Sequence, residues 1–289
     1  MSGWRTMVIQ EKSDVHVQDG QLMICGKAQR AVPVDQLRQV FISSPAVTLS
    51  SAAMTAMARE HVHVLVCGEK HVPVCEMFPI GIHYESAGSV MDQAAWDAER
   101  KGRIWKAIVE KKLHNQYALL LALHRAPPPR FLDYCHSVED GDGTNREAAA
   151  AKMYFSSLFG HDFRRHRQDA LNAKLNYGYT LLCSAFTRIL SMHGFHPGLG
   201  LHHYSRDNPF NLSCDLMEPF RPLIDRLAYE SGEAPLDWEL KKKLIAFPQT
   251  LCSMNGISVT LEQAMEEYTL QTLQALKTGK DSVPEVQYV

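Results

Sequence analysis

The sequence predicts an α+β protein, with a β-rich unit first and a larger all-α unit after it. Through about residue 75, short apolar runs alternate with turn residues, as strands do. From about residue 92, apolar residues recur roughly every three to four positions over long windows, as on one face of a helix. The change falls near Pro79, which divides the chain into a β-rich unit at 1–78, a linker and the start of the first long helix at 79–98, and an all-α unit at 99–289.

The elements follow in order. Thr6 to Gln10 is a short apolar strand. Asp19-Gly20 separates Val15–Val17 from Gln21–Cys25 and predicts a hairpin, because both turn residues tolerate positive φ. Val32–Val34 and Gln39–Ser43 are further strands, and Leu49–Glu60 is Ala- and Met-rich and reads as helix. Val62–Cys67 alternates cleanly, and His71–Met77 is another strand. Asp92 to Arg125 reads as one long helix with Trp105, Val109, Leu113, Tyr117 and Leu120 on a stripe, ended by Pro127-Pro-Pro129. Leu132 to Gly143 reads as a polar loop. Helices are expected over 144–159, 171–193 (Leu175, Tyr179, Leu182, Phe186 and Leu190 on one face, Gly194 beyond its end), 210–230 and 260–277. Thr260 and Gln263 form a capping box for the last. The tail after Gly279 reads as loose, and no internal repeat is present.

Composition sets bounds. The chain is 45% hydrophobic and 21% charged, so a sizeable core is expected. The net charge of −2 gives no argument for a polyanionic partner, yet Arg100 to Arg130 carries eight Lys or Arg against Glu110 alone. Seven cysteines without a Cys-x-x-Cys pair read as reduced thiols of a cytoplasmic protein. No stretch approaches the ~20 apolar residues of a membrane span, so no membrane partner is expected.

Three polar residues stand out in apolar or constrained settings: Glu147, His203 and Glu218. Two carboxylates and an imidazole suit a hard or borderline divalent cation such as Mn²⁺ or Mg²⁺. Each also has an ordinary reading. Thr144-Asn-Arg-Glu147 has the spacing of a capping box, although Glu147 also continues the stripe Ala151, Tyr154, Leu158. His203 is one of fourteen histidines and has His202 beside it; Gly198 and Gly200 bring a flexible backbone to both. Asp215 and Glu218 would share a helix face, or would be acids of a first turn near Pro219 and Pro222. Gly160-His-Asp-Phe-Arg-Arg-His-Arg167 would place cations near Glu147, as a phosphate-binding loop does, and Lys241–Lys243 would serve likewise or lie on the surface.

Together these segments resemble the CRISPR-associated integrase family, CRISPR-associated protein one. The resemblance rests on Asn145-Arg-Glu147 leading into Tyr154-Phe155, on Asn172 with Leu175-Asn-Tyr-Gly-Tyr179, on Pro197-x-x-Gly-x-x-His203, and on Asp215-Leu-Met-Glu-Pro-Phe-Arg-Pro222. The opening Gly3-Trp-Arg-Thr6 and the length look like the form found beside type II loci. The resemblance implies an N-terminal β-sandwich serving as a dimerisation and partner platform, and a helical catalytic domain. It implies metal ligation by Glu147, His203 (rather than His202) and Glu218, with Asp215 in support. Leu201-His202 departs from the Phe-Leu often found there, which changes packing and not ligand type.

The expected activity is metal-dependent insertion of short DNA spacers into a CRISPR array, by 3′-OH attack on a repeat phosphodiester. Arg146, Arg164, Arg165, Arg167 and Arg221 are candidates for contact with the backbone of double-stranded DNA. A homodimer is implied, with CRISPR-associated protein two as the partner in a larger complex. Two alternatives are a structure-selective, metal-dependent nuclease that does not integrate, and a non-catalytic DNA-binding scaffold.

Overall fold

The computed structural model describes residues 5–68, 73–77, 79, 86–254, 256–279 and 286–287. The chain divides into two compact units, Met1–Tyr84 and Glu85–Val289.

The first unit is a β-sandwich. One sheet has the order β1 (Arg5–Ile9), β5 (Leu37–Ile42), β7 (His63–Cys67), β8 (Pro73–Met77); the other has β4 (Gln29–Pro33), β3 (Gln21–Cys25), β2 (Ser13–Gln18), β6 (Val47–Leu49). β1, β5 and β7 run parallel, β8 is antiparallel, and β2 pairs antiparallel with β3 and parallel with β6. The expected hairpin is present: Gln18 faces Gln21, and Asp19 and Gly20 take φ of 48° and 74°. Ile9, Val40, Ile42 and Val64 from one sheet share a core with Val15, Leu22, Ile24 and Val32 from the other. Helix α1 (Ser51–Arg59), capped by Ser50 accepting from the Ala53 amide, adds Ala53 and Met57. β6, three residues long, escaped the sequence reading because it is too short to show alternation. Gly3, Trp4, His71 and His71's neighbour Val72, to which expectations were attached, lie outside the described residues.

The second unit is built on two long helices, α3 (Ala98–Ala122) and α6 (Ala170–Met192). The single helix expected from Asp92 is two: α2 (Ser86–Ala94) ends, and Asp97 restarts the chain by accepting from the Arg100 amide at 2.9 Å. A side-chain cap of this kind defines a helix start even where the apolar period runs on. α3 stops ahead of the three prolines. The expected polar loop contains α4 (Phe131–His136), which buries Phe131 and Cys135. α5 (Arg146–Phe159) follows. All five stripe residues of α6 are buried, and Gly194 has φ 79°. Gly178 lets α6 approach its neighbour, since a Cβ there would collide with Ile224.

The helix expected over 210–230 is α7 (Asn211–Met217), a 3-10 turn at Glu218–Phe220, and α8 (Arg221–Glu230). Pro219 and Pro222 lack the N–H a continuous helix needs and sit in the opening turns instead. α9 (Trp238–Ala246) and a hairpin, β9 (Leu251–Met254) with β10 (Ile257–Thr260), were not anticipated. α10 (Leu261–Thr278) starts with the expected capping box of Thr260 and Gln263. Of the tail read as loose, 280–285 and 288–289 lie outside the described residues; β11 (Val286–Gln287) pairs with Met254 and Ser253. No described helix is long and apolar enough to cross a membrane.

Candidate active site

Glu147 is not a capping-box acid. Asn145 enters α5 with left-handed φ 52° and makes no side-chain cap. Asp142 does that work instead, accepting from the amides of Arg146 (2.7 Å) and Glu147 (3.0 Å). The Glu147 carboxylate is thereby freed, and its Oε1 accepts from the ammonium of Lys112 on α3.

Glu218 meets the same ammonium. Its Oε2 lies 2.5 Å from Lys112 Nζ, and its Oε1 lies 3.0 Å from Arg221 Nη1. The Glu218 and Lys112 side chains are only 4% and 5% exposed, so neither charge is met by bulk water. Burial alone would push the Glu218 pKa up, but Arg221 and Lys112 hold it below the usual carboxylate value. Burial would likewise lower Lys112, and Glu218 and Glu147 outweigh it, leaving the ammonium firmly charged.

His203 is placed by backbone. Asp215, fully buried on α7, accepts from the amides of Leu201 (2.6 Å), His202 (3.0 Å) and His203 (3.3 Å), and its Oδ1 lies 2.5 Å from His203 Nδ1. This wraps the Gly-rich loop around one carboxylate. Gly200 is required there, because a Cβ would clash with the His203 carbonyl and lie 2.9 Å from Asp215 Oδ2. With Nδ1–H donating to Asp215, the Nε2 lone pair is free to accept a proton or bind an ion. The Asp215 hydrogen bond also raises the His203 pKa. His202 is spent otherwise: its ring stacks flat on Trp105, with centroids 4.4 Å apart. Asp215 therefore orients the His203 ring.

Gln93 on α2 was missed in the sequence. Its amide donates to the carbonyls of His196 (2.8 Å) and Leu199 (2.9 Å) and accepts from the His196 amide (2.9 Å), tying the loop down. Nothing in its local sequence marks it, since the partners lie more than a hundred positions away. Lys112 is one of the eight cations of the Arg100 to Arg130 run, and its spacing from Ile108 and Trp105 continues the buried stripe. Asp225 was also missed. It accepts from Tyr154 (2.8 Å) and Tyr179, and burial pushes its pKa up to about 6.

The arginines divide. Arg221 is committed to Glu218 and lies 4.4 Å over the Tyr179 ring. Arg165 binds Asn172 (3.1 Å) and Asn176 (2.6 Å), and Arg164 donates to the His161 and Phe163 carbonyls, so both brace the 160–167 loop. Arg146 lies over Tyr134. Arg167 is exposed. Lys241 is buried near Tyr177 rather than free on the surface.

The donor set fits a divalent cation. Two carboxylates converge on one cationic position, and the Glu218 end of it is buried. As they stand, no three His, Cys, Asp or Glu among the described residues are gathered into an ion-holding cluster, and the Lys112 ammonium lies between Glu147 and Glu218.

Paired acids, an oriented imidazole and nearby guanidinium groups equip a protein for phosphate-ester chemistry. Residues 6–233 match the family model for CRISPR associated protein Cas1. The chain belongs to the Cas1 family. It is 32% identical over 249 residues to the CRISPR-associated endonuclease Cas1 of Neisseria meningitidis serogroup C, covering 84% of this chain and 82% of that protein. It is 29% identical over 218 residues to a CRISPR-associated endonuclease Cas1 of Pyrobaculum aerophilum, covering 68% and 71%. Its fold is similar to a casposase bound to integration product (TM-score 0.82, 18% identity, 97% of this chain and 93% of that one). It is also similar to a CAS1 protein from Thermotoga maritima (TM-score 0.75, 13% identity, 98% and 100%).

Proposed function

We propose that the chain is a metal-dependent DNA integrase and endonuclease that inserts spacers into a CRISPR array in the cytoplasm. The observation that carries this reading is the convergence of Glu147 and Glu218, from separate elements, on one buried cationic position, with His203 oriented by Asp215. Glu147, His203 and Glu218 would hold Mn²⁺ or Mg²⁺, and the imidazole favours Mn²⁺. When bound, the ion would lower the pKa of a 3′-OH and neutralise charge on the phosphodiester it attacks. Asp215 fixes the His203 tautomer. Arg221 neutralises Glu218 and keeps the carboxylate ionised. Arg167 and Arg146 are the cations we assign to DNA backbone contact, while Arg164 and Arg165 shape the loop that presents Arg167. Such contact weakens steeply with salt and depends little on sequence. The relatives named endonucleases, and the similarity in fold to a casposase bound to integration product, support this reading. A solved complex described as Cas6-RT-Cas1--Cas2 has a similar fold over 97% of this chain and supports work with the small CRISPR-associated subunit two; the chain is further proposed to act as a homodimer.

The test is strand transfer on labelled repeat DNA with Mn²⁺. Integration lengthens a labelled strand, whereas a nuclease without transferase activity only shortens it. Glu147→Gln, His203→Ala and Glu218→Gln should each abolish transfer while DNA binding persists. Full transfer by any one would remove that residue from the site.

A further inference from the structure

Lys112 raises a question of charge. Around it lie two carboxylates, Glu147 and Glu218, and a second cation, Arg221. These contacts pair two carboxylates with two cations, and Asp225 stands close enough to Lys112 and Arg221 to add a third carboxyl to the cluster. A divalent cation added on top would face two fixed positive charges at close range in a site that water reaches poorly. Because the Lys112 ammonium already stands between Glu147 and Glu218, an ion shared by the two acids requires a cation to move.

Geometry selects which one leaves. Arg221 binds one carboxylate, through Oε1 of Glu218, and is held from its other side by the Tyr179 ring. Lys112 spans both acids, so its ammonium occupies the point where an ion shared by them would sit. Its contact with the buried Glu218 Oε2 is an ion pair at 2.5 Å. An ammonium on a four-carbon stem can move by side-chain rotation, whereas the stacked guanidinium cannot move without losing its ring contact.

We propose that Lys112 is a built-in counter-ion that holds Glu147 and Glu218 together in the metal-free protein and is displaced when a divalent ion binds, so that lysine and metal compete for one position. This rests on the metal reading given above. Lys112 is a positioning residue: it keeps two buried acids from repelling one another before the metal arrives, and it lowers metal affinity as the cost of doing so.

The experiment measures Mn²⁺ binding to the full-length protein without DNA, by the paramagnetic signal of free Mn²⁺. Lys112→Met keeps length and removes charge, and it should bind Mn²⁺ at least about tenfold tighter than wild type. Its metal-free form should melt lower, and Mn²⁺ should raise its melting temperature by more than it raises that of wild type. Lys112→Arg keeps the charge and should not gain affinity. Equal or weaker Mn²⁺ binding by folded Lys112→Met overturns the proposal, as does a tenfold gain in Lys112→Arg. If neither wild type nor Lys112→Met binds millimolar Mn²⁺ while both are folded, the metal reading itself falls and takes this one with it. A second measurement needs no variant. Mn²⁺ should increase acylation of Lys112 in wild type, read by mass spectrometry, because displacement exposes an amine that is buried beforehand. Unchanged or reduced labelling in a protein that binds Mn²⁺ overturns the displacement.

Discussion

The two units bury different things. In the sandwich, the shared core is aliphatic, and the buried polar residues among those described there are few: Ser13, Ser43, Ser44 and His63. The helical unit buries Lys112, Asp142, Lys174, Asp215, Glu218, Asp225 and Lys241 among its apolar side chains. An apolar core is stabilised by removing area from water, and each residue acts nearly alone. A buried charge is tolerated only with its partners in place, so removing one partner costs more than the pair ever contributed. The first unit is therefore built for stability and the second carries ionisable groups whose upkeep is justified by chemistry.

The largest expected effect tests that contrast directly. Glu218→Ala leaves the buried Lys112 ammonium and the half-buried Arg221 guanidinium without their shared carboxylate, and should cost about 3–5 kcal/mol in urea unfolding as well as more than about 100-fold in strand transfer. His203 is exposed, and His203→Ala should abolish transfer while costing under about 1 kcal/mol. If the two variants lose equal stability, the charged cluster is not the fragile part of the helical unit.

Leu22→Ala is the counterpart in the sandwich. Leu22 is fully buried between the sheets, and its loss should cost about 2–5 kcal/mol through lost transfer energy and a cavity. Mn²⁺ affinity should be unchanged in the folded fraction. A change in affinity would show that the sandwich acts on the site.

Asp225 sharpens the comparison through pH. Its folded pKa, about 6, lies above the ordinary carboxylate value, so between the two the folded state holds a proton the unfolded chain has released. Stability then falls as pH rises through that window, by an amount on the order of 3 kcal/mol for a shift of about two units. Asp225→Asn removes the titration. Unfolding in urea at pH 4 and pH 7 should show the variant gaining on wild type at the higher pH; a difference that does not change with pH would mean Asp225 is charged at no cost.

How much of this was legible beforehand follows from range. Alternation and turn chemistry are local, so the hairpin at Asp19-Gly20 and the capping box at Thr260 could be read directly. The composite helix at 211–230 was half legible: Pro219 and Pro222 announce a break, but only packing says that a 3-10 turn fills it. Glu147 was ambiguous because its capping role depends on whether another acid takes it, and Asp142 does. Lys112 was least legible, since an amphipathic pattern gives its face and not the two acids from α5 and the turn after α7 that meet it there.

The smallest effect concerns Gln93, which sits at the edge of this contrast: polar, 3% exposed, uncharged, and bonded three times to the backbone of the loop that leads to His203. Gln93→Ala removes no ligand and no charge. It leaves the His196 and Leu199 carbonyls and the His196 amide without these partners, and because both residues are exposed water can replace part of the bonding, so the stability cost should be about 1 kcal/mol. The functional cost should appear as motion. Amide exchange at His196 and Leu199 should quicken, while Leu201, held by Asp215, keeps its protection. Strand transfer should fall by less than it does for His203→Ala, since Asp215 still grips the imidazole. If Leu201 loses protection together with His196, then the loop is one cooperative segment hung from α2, and His203 is positioned by an uncharged amide as much as by the buried carboxylate.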